Sequence, residues 1–222
     1  MKTSITRCLT IVIATITVLS SVAKPIRVAC VGDSITAGYA LSNPGKQSYP
    51  AQLQKLLGDG YTVMNFGNSG TTVLKKSDYT YWNSWAYTNS MASSPDIVVM
   101  MFGANDSKQW NWNASNFNSD YRELIKEFQN LETHPKVYIC QTPPVFLPST
   151  FGDTFDPEFI QKTIVPAIAK VARKASVELI DNNTPLLNHS GYFTDGVHPT
   201  EKGAGIIAQQ VATALTASTH EH

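Results

Sequence analysis

Short apolar runs alternate with longer amphipathic stretches along most of the chain. Residues 26–31 read as a buried strand, whose apolar run from Val28 stops abruptly at the turn Gly32-Asp33-Ser34. Residues 48–57 predict a helix, with Pro50 in its first turn and Gly58 just past its end. Residues 61–66 form a second strand, and residues 82–92 a helix with Pro95 beyond it. Residues 96–102 are the third and most apolar strand. Phe117, Tyr121, Leu124, Ile125, Phe128 and Leu131 recur at helical spacing across residues 116–131. Residues 136–140 and 177–180 read as the fourth and fifth strands. Between these two lie a Pro-rich loop, residues 141–157, and a helix, residues 157–175, that Pro166 should kink. The loop is too long for a simple connector, and long loops in packed domains often carry function. Residues 181–199 form a loop with short turns, and residues 200–215 a last helix capped by Thr200.

Strands that alternate with helices predict a parallel sheet covered on both faces. The expected fold class is therefore α/β, a three-layer α/β/α sandwich with a five-stranded parallel sheet. No repeat or linker divides the chain. Its 222 residues, 42% of them hydrophobic, suffice for one well-buried domain.

Charge narrows the range of partners. The 17 basic and 17 acidic residues cancel, which argues against nucleic acid or an anionic membrane surface as a partner. Residues 1–23 look like a signal peptide: Lys2 and Arg7 precede an apolar run over residues 9–19, and Ser21-Val22-Ala23 is a small-residue cleavage site. The apolar run is too short to span a membrane comfortably. The expectation is cleavage after Ala23, a mature domain over residues 24–222, a secreted or periplasmic location, and no stable membrane insertion afterwards. Cys8 leaves with the leader. Cys30 and Cys140 lie in apolar strands and are expected to be buried thiols, although this location permits a disulfide. No His/Cys cluster has metal-ligand spacing, so no metal is expected.

The candidate chemistry begins at Ser34. A serine just past the carboxyl end of a buried strand sits where open α/β sheets place their active sites. Alone, Gly-Asp-Ser reads first as a plain strand-to-helix turn capped by Asp33 or Ser34. Three later blocks change that reading: Asn65-Phe66-Gly67-Asn68-Ser69-Gly70, Phe102-Gly103-Ala104-Asn105-Asp106 and Asp195-Gly196-Val197-His198-Pro199. With all four in this order, the chain resembles the SGNH hydrolases, the GDSL esterase/lipase superfamily. The resemblance implies a flavodoxin-like strand arrangement and a serine nucleophile at Ser34. A serine hydroxyl needs a base within hydrogen-bond reach, and His198 is the candidate, with Asp195 three residues earlier to hold its ring. His134 and His189 lie outside every block. The resemblance further implies an oxyanion hole made by the backbone N–H groups of Ser34 and Gly70 and the side-chain amide of Asn105, with Gly67 as the alternative glycine. Asp33 and Asp106 read as local hydrogen-bonding scaffolds, and the chemistry needs no cofactor. Four N-glycosylation patterns occur, at Asn105, Asn113, Asn182 and Asn188, and a glycan on Asn105 would block this site.

Aromatic residues crowd residues 79–87, and Trp110 and Trp112 follow the Asn105 block. Aromatic faces among amides suit stacking on sugar rings, so Trp82, Trp110 and Trp112 are candidate substrate contacts. Trp82 and Trp85 read equally as helix core. The resemblance implies a bacterial secreted carbohydrate O-acetylesterase, sialate- or xylan-type, acting on a small-molecule or polysaccharide ester. The alternatives are a lysophospholipase or thioesterase with an acyl channel along Val145, Phe146 and Leu147, and an inactive carbohydrate-binding protein. Intact Ser34, Asn105, Asp195 and His198 argue against the last.

Overall fold

The computed structural model describes residues 24–217. The expected leader over residues 1–23 lies outside them. Five strands form one sheet: β1 (Ile26–Gly32), β2 (Tyr61–Gly67), β3 (Ile97–Met101), β4 (Lys136–Cys140) and β5 (Glu178–Ile180). The helices are α1 (Ser34–Ala37), α2 (Pro44–Gln47), α3 (Tyr49–Leu57), α4 (Trp85–Ala92), α5 (Ala114–Gln129), α6 (Pro157–Phe159), α7 (Val165–Ala175) and α8 (Glu201–Ala217). All strand pairs are parallel, in the order β2-β1-β3-β4-β5. This flavodoxin-like order reverses direction between β1 and β3, and such switch points open a crevice beyond the carboxyl ends of the strands.

The two faces of the sheet follow from period-2 alternation. Ala29, Val31, Val98, Met100, Val137 and Ile139 pack into one core, with α4, α5 and α7 above them. Val28, Cys30, Val99, Met101, Tyr138 and Cys140 point the other way, into a core closed by α3 and α8. Strands buried on both faces need no polar positions, which is why β3 is continuously apolar. Its four most buried side chains each contribute on the order of 1.5–3 kcal/mol, enough to make the central strand the firmest part of the sheet.

Several element boundaries move for local reasons. The helix expected from residue 82 starts at Trp85, because the Ser84 side chain accepts the Tyr87 N–H at 3.1 Å and caps it there. β3 omits Asp96, whose carboxylate turns instead to the backbone N–H and guanidinium of Arg27. Around Pro166 the irregularity sits one turn earlier, as a π-helical turn over Ile160–Ile164. Proline has no N–H to donate to the fourth carbonyl before it, and the widened turn absorbs the missing bond. Cys30 and Cys140 are free and buried, with β3 between their strands, so a disulfide is out of reach. Burial pushes the Cys30 thiol up to about 12 and that of Cys140 well above its ordinary range. Among the described residues, no helix is long and apolar enough to cross a membrane.

Two glycines set the corner that carries the site. Gly32 and Gly67 are paired at the ends of β1 and β2. A Cβ on Gly67 would lie 2.1 Å from the backbone nitrogen of Ala37, and one on Gly32 would lie 2.6 Å from the Met101 carbonyl oxygen. The backbone of α1 thus lies directly on the sheet end. Gly67→Ala is expected to destabilise the fold by about 2–3 kcal/mol through this backbone clash. Gly60→Ala, where a Cβ meets nothing within 4 Å, should cost far less. Urea unfolding of the two variants checks the contrast.

Candidate active site

Ser34 begins α1, immediately after β1. Asp33 caps that helix through a 2.9 Å bond from the Ile35 N–H, and Gly38 ends it at φ +84°. One helical turn between those two caps presents the Ser34 hydroxyl at the switch point. His198 arrives from the opposite end of the chain, and its Nε2 lies 2.8 Å from the Ser34 Oγ. Its Nδ1 lies 2.7 Å from Asp195 Oδ2. A hydrogen on Nδ1, held by that carboxylate, leaves Nε2 as the acceptor facing the serine.

Asp195 is fixed in turn. Its Oδ1 accepts the backbone N–H groups of Val197 and His198 at 2.9 and 2.7 Å. Burial works against its ionisation, but the His198 backbone N–H, the imidazole and the Val197 N–H outweigh it and hold the carboxyl below the usual range. The turn is clamped by the long loop after β4. The Phe146 N–H donates to the Gly196 carbonyl at 2.8 Å and the Thr150 N–H to the Asp195 carbonyl at 3.1 Å. Gly196 has φ +85°, and a Cβ there would lie 2.4 Å from the Phe146 carbonyl oxygen.

Ser34, Gly70, Asn105 and His198 line one open cavity of about 320 Å3. Of the two candidate glycines, Gly67 has its N–H engaged by Asn65 Oδ1 at 2.9 Å. Gly70, at φ +84°, borders the cavity beside Ser69. The Asn105 amide donates to the Thr71 carbonyl at 3.2 Å, and reaches Asp33 Oδ2 only at 3.5 Å. Asn105 is 5% exposed, so its glycosylation pattern lies in a buried turn.

The rest of the cavity wall consists of Tyr39, Lys108, Phe151, Thr154 and Phe155, none of which was singled out by the motifs. Tyr39 and Lys108 follow the Ser34 and Asn105 blocks within a few residues. Phe151, Thr154 and Phe155 belong to the long loop. The rings of Tyr39 and Phe151 both contact His198, at centroid distances of 4.6 and 5.5 Å. Lys108 lies 3.4 Å from Asp78 Oδ2, which also accepts the Trp110 indole N–H at 3.0 Å.

The three candidate tryptophans separate. Trp82 is part of the packed layer, donating to the Val73 carbonyl at 2.9 Å and lying against Tyr87. Trp110 is 63% exposed beside Lys108, outside the cavity lining. Trp112 borders a second, neighbouring cavity. The acyl channel of the alternative reading, along Val145, Phe146 and Leu147, does not form. Val145 is buried in the core, Phe146 packs on Phe193, and Leu147 is exposed. The loop runs past the site here, and alternate side chains turn into the core and out to solvent.

Behind the cavity lie two buried acids. Asp33 is raised to about 7 by burial, against the opposing Ile35 N–H and the charge of Lys108. Asp106 accepts the Val73 and Leu74 N–H groups at 3.0 and 3.1 Å, yet burial and the nearby Asp33 raise it to about 7 as well. An unfolded aspartate titrates near 3.9, so each folded carboxyl keeps a proton that the unfolded chain gives up. Their contribution to stability is complete below about 4 and is lost as pH rises through about 7. Asp106→Asn, neutral at every pH, should flatten that decline. Urea unfolding from pH 4 to pH 8 measures it, and an unchanged slope would locate the loss elsewhere.

Residues 30–206 match the GDSL-like lipase/acylhydrolase family. An acetylxylan esterase from Xylanibacter ruminicola is 37% identical over 209 residues, which cover 86% of this chain and 43% of that protein. The chain thus spans less than half the length of that relative. Among solved structures, a carbohydrate acetylesterase from Sinorhizobium meliloti superposes with TM-score 0.69 at 21% identity, covering 86% of this chain and 99% of the other. The aryl esterase of M. smegmatis gives TM-score 0.68 at 17% identity, with the same coverage. At such identities these two likenesses speak for the fold. The match over residues 30–206 speaks for descent, and the chain belongs to the GDSL-like lipase/acylhydrolase family.

Proposed function

We propose that this chain is a serine esterase that removes acetyl groups from a carbohydrate, of the xylan type, through an acyl-enzyme. The observation that carries the reading is the continuous chain from Ser34 Oγ through His198 to Asp195, opening on a cavity that also holds Gly70 and Asn105. The Ser34 oxygen attacks the acetyl carbonyl carbon while its proton passes to His198 Nε2. Asp195 holds the ring and stabilises its charged form. Negative charge collects on the former carbonyl oxygen, within reach of the Ser34 and Gly70 N–H groups and the Asn105 amide. The 3.5 Å contact from that amide to Asp33 is weak, so an oxyanion readily takes over its hydrogen. Collapse expels the sugar alkoxide, which takes the proton from His198. A water then repeats the sequence on the acetyl-serine, releasing acetate and restoring Ser34.

Size supports acetate as the acyl group. A cavity of about 320 Å3 is at the small end for ligand sites, and Phe151 and Phe155 are part of its wall. The acetylxylan esterase relative supports xylan over a sialate as the sugar. A polymer of this kind is met outside the cell, and the leader expected over residues 1–23 fits a secreted or periplasmic enzyme.

Ser34→Ala should abolish hydrolysis of 4-nitrophenyl acetate while leaving the unfolding transition in place. Asn105→Ala should lower kcat by roughly 100- to 1,000-fold with a smaller change in KM, as for loss of one oxyanion donor. A change confined to KM would reassign Asn105 to binding.

Activity on 4-nitrophenyl esters should fall from acetyl to octanoyl. An apolar groove would instead reward each added methylene by ~0.8 kcal/mol. A steady rise in kcat/KM towards octanoyl would replace this reading with a lipase or thioesterase.

A further inference from the structure

The catalytic cavity has a neighbour. A second cavity, of about 430 Å3, is lined by Ser107, Gln109, Trp112, Asp153, Thr154 and Asp156. Thr154 borders both cavities. The two walls are also shared. On one side Asn105 and Lys108 face the first cavity, while Ser107 and Gln109 of the same turn face the second. On the other side Phe151 and Phe155 face the first, while Asp153 and Asp156 face the second. The two cavities are therefore stations of one cleft between the loop after β3 and the loop after β4.

We infer that the second cavity is a binding subsite for a neutral sugar unit next to the acetylated one, so that the enzyme recognises a stretch of sugar chain. This rests on the esterase reading above and adds where the rest of the substrate lies. The lining has the chemistry a pyranose requires. Trp112 supplies an aromatic ring whose orientation is set by Phe117 and Phe159, at centroid distances of 5.2 and 5.6 Å. Ser107 and Thr154 bring hydroxyls, and Gln109 an amide that both donates and accepts. Asp153 and Asp156 bring carboxylates that accept from sugar hydroxyls. The Asp156 carboxylate is already oriented, since its Oδ1 accepts the Glu158 and Phe159 N–H groups at 2.8 and 3.1 Å. Two carboxylates with no cation in the lining also repel an anionic sugar. The cation of this region, Lys108, faces the catalytic cavity and pairs with Asp78. The subsite thus takes neutral pentose or hexose units and disfavours uronic or sialic acids.

The test compares kcat/KM for acetylated xylotetraose, acetylated xylose and 4-nitrophenyl acetate. The tetraose ester is expected to be the better sugar substrate, by about three- to tenfold for each subsite hydrogen bond it gains. Gln109→Ala and Asp153→Ala, both at exposed positions, should each remove about three- to tenfold from the tetraose ester and markedly less from nitrophenyl acetate. In the Ser34→Ala background, unacetylated xylotetraose should bind by calorimetry, and Asp153→Ala should weaken it. Equal kcat/KM for the tetraose and monosaccharide esters, with nitrophenyl acetate still hydrolysed, would overturn the subsite and leave the esterase reading standing. No hydrolysis of any acetate would instead remove the esterase reading. Faster turnover of a glucuronic-acid-substituted tetraose ester than of the plain one would overturn the preference for neutral units.

Discussion

Gly32 and Gly67 lie side by side at the carboxyl ends of β1 and β2, and α1 presses on both, its backbone on Gly67 and its Thr36 side chain on Gly32, at distances that admit no Cβ. That close approach governs the geometry around it. It lets the chain leave β1, turn once and return past β2, with Ser34 as the first residue of the turn. Asn65 reinforces the corner, since its amide donates to the Thr36 carbonyl at 2.9 Å while its own oxygen accepts the Gly67 N–H. A serine on a freely moving loop could not keep a 2.8 Å relation to an imidazole 164 residues away. Pre-organisation of that kind is what the proposed nucleophile requires.

His198 is placed by a different device. Its loop contributes no strand, so its position relies on hydrogen bonds from the long loop after β4 and on the tilted and edge-on ring contacts of Tyr39 and Phe151. The Gly196 backbone lies against the Phe146 carbonyl and accepts the Phe146 N–H, so the two loops are tied to each other. The same long loop lines both cavities with Phe151 to Asp156. One segment therefore orients His198 and shapes the cavities beside it.

The buried acids behind the site balance connectivity against charge. Asp106 ties Val73 and Leu74 to the turn that carries Asn105, and Asp33 caps the helix that carries Ser34. Each scaffold uses a carboxylate where burial disfavours one. The fold tolerates this because the bonded N–H groups would otherwise be buried without partners. Surface pairs such as Lys162 with Glu158 have no such consequence, being exposed and screened.

The sequence by itself determined the strands and the order of the chemistry-bearing blocks. Strands buried on both faces must be apolar throughout, so β1, β3 and β4 stand out to within a residue or two. The blocks around Ser34, Gly70, Asn105 and His198 are local and short, and the first three each follow an apolar run. Tertiary structure decided what surrounds them. Tyr39 and Phe151 meet the same imidazole although 112 positions separate them, and no local pattern marks either one. Trp82 and Trp112 both pack, partly buried, against the same core, yet only the second of them also borders the cavity next to the site. That the Gly67 N–H is already bonded to Asn65 also became visible only in the fold, because the partner is a side chain whose direction no local pattern gives. Periodicity reports burial, which is a property of single elements. Cavity walls are made where several elements meet, and only the folded chain brings those residues together.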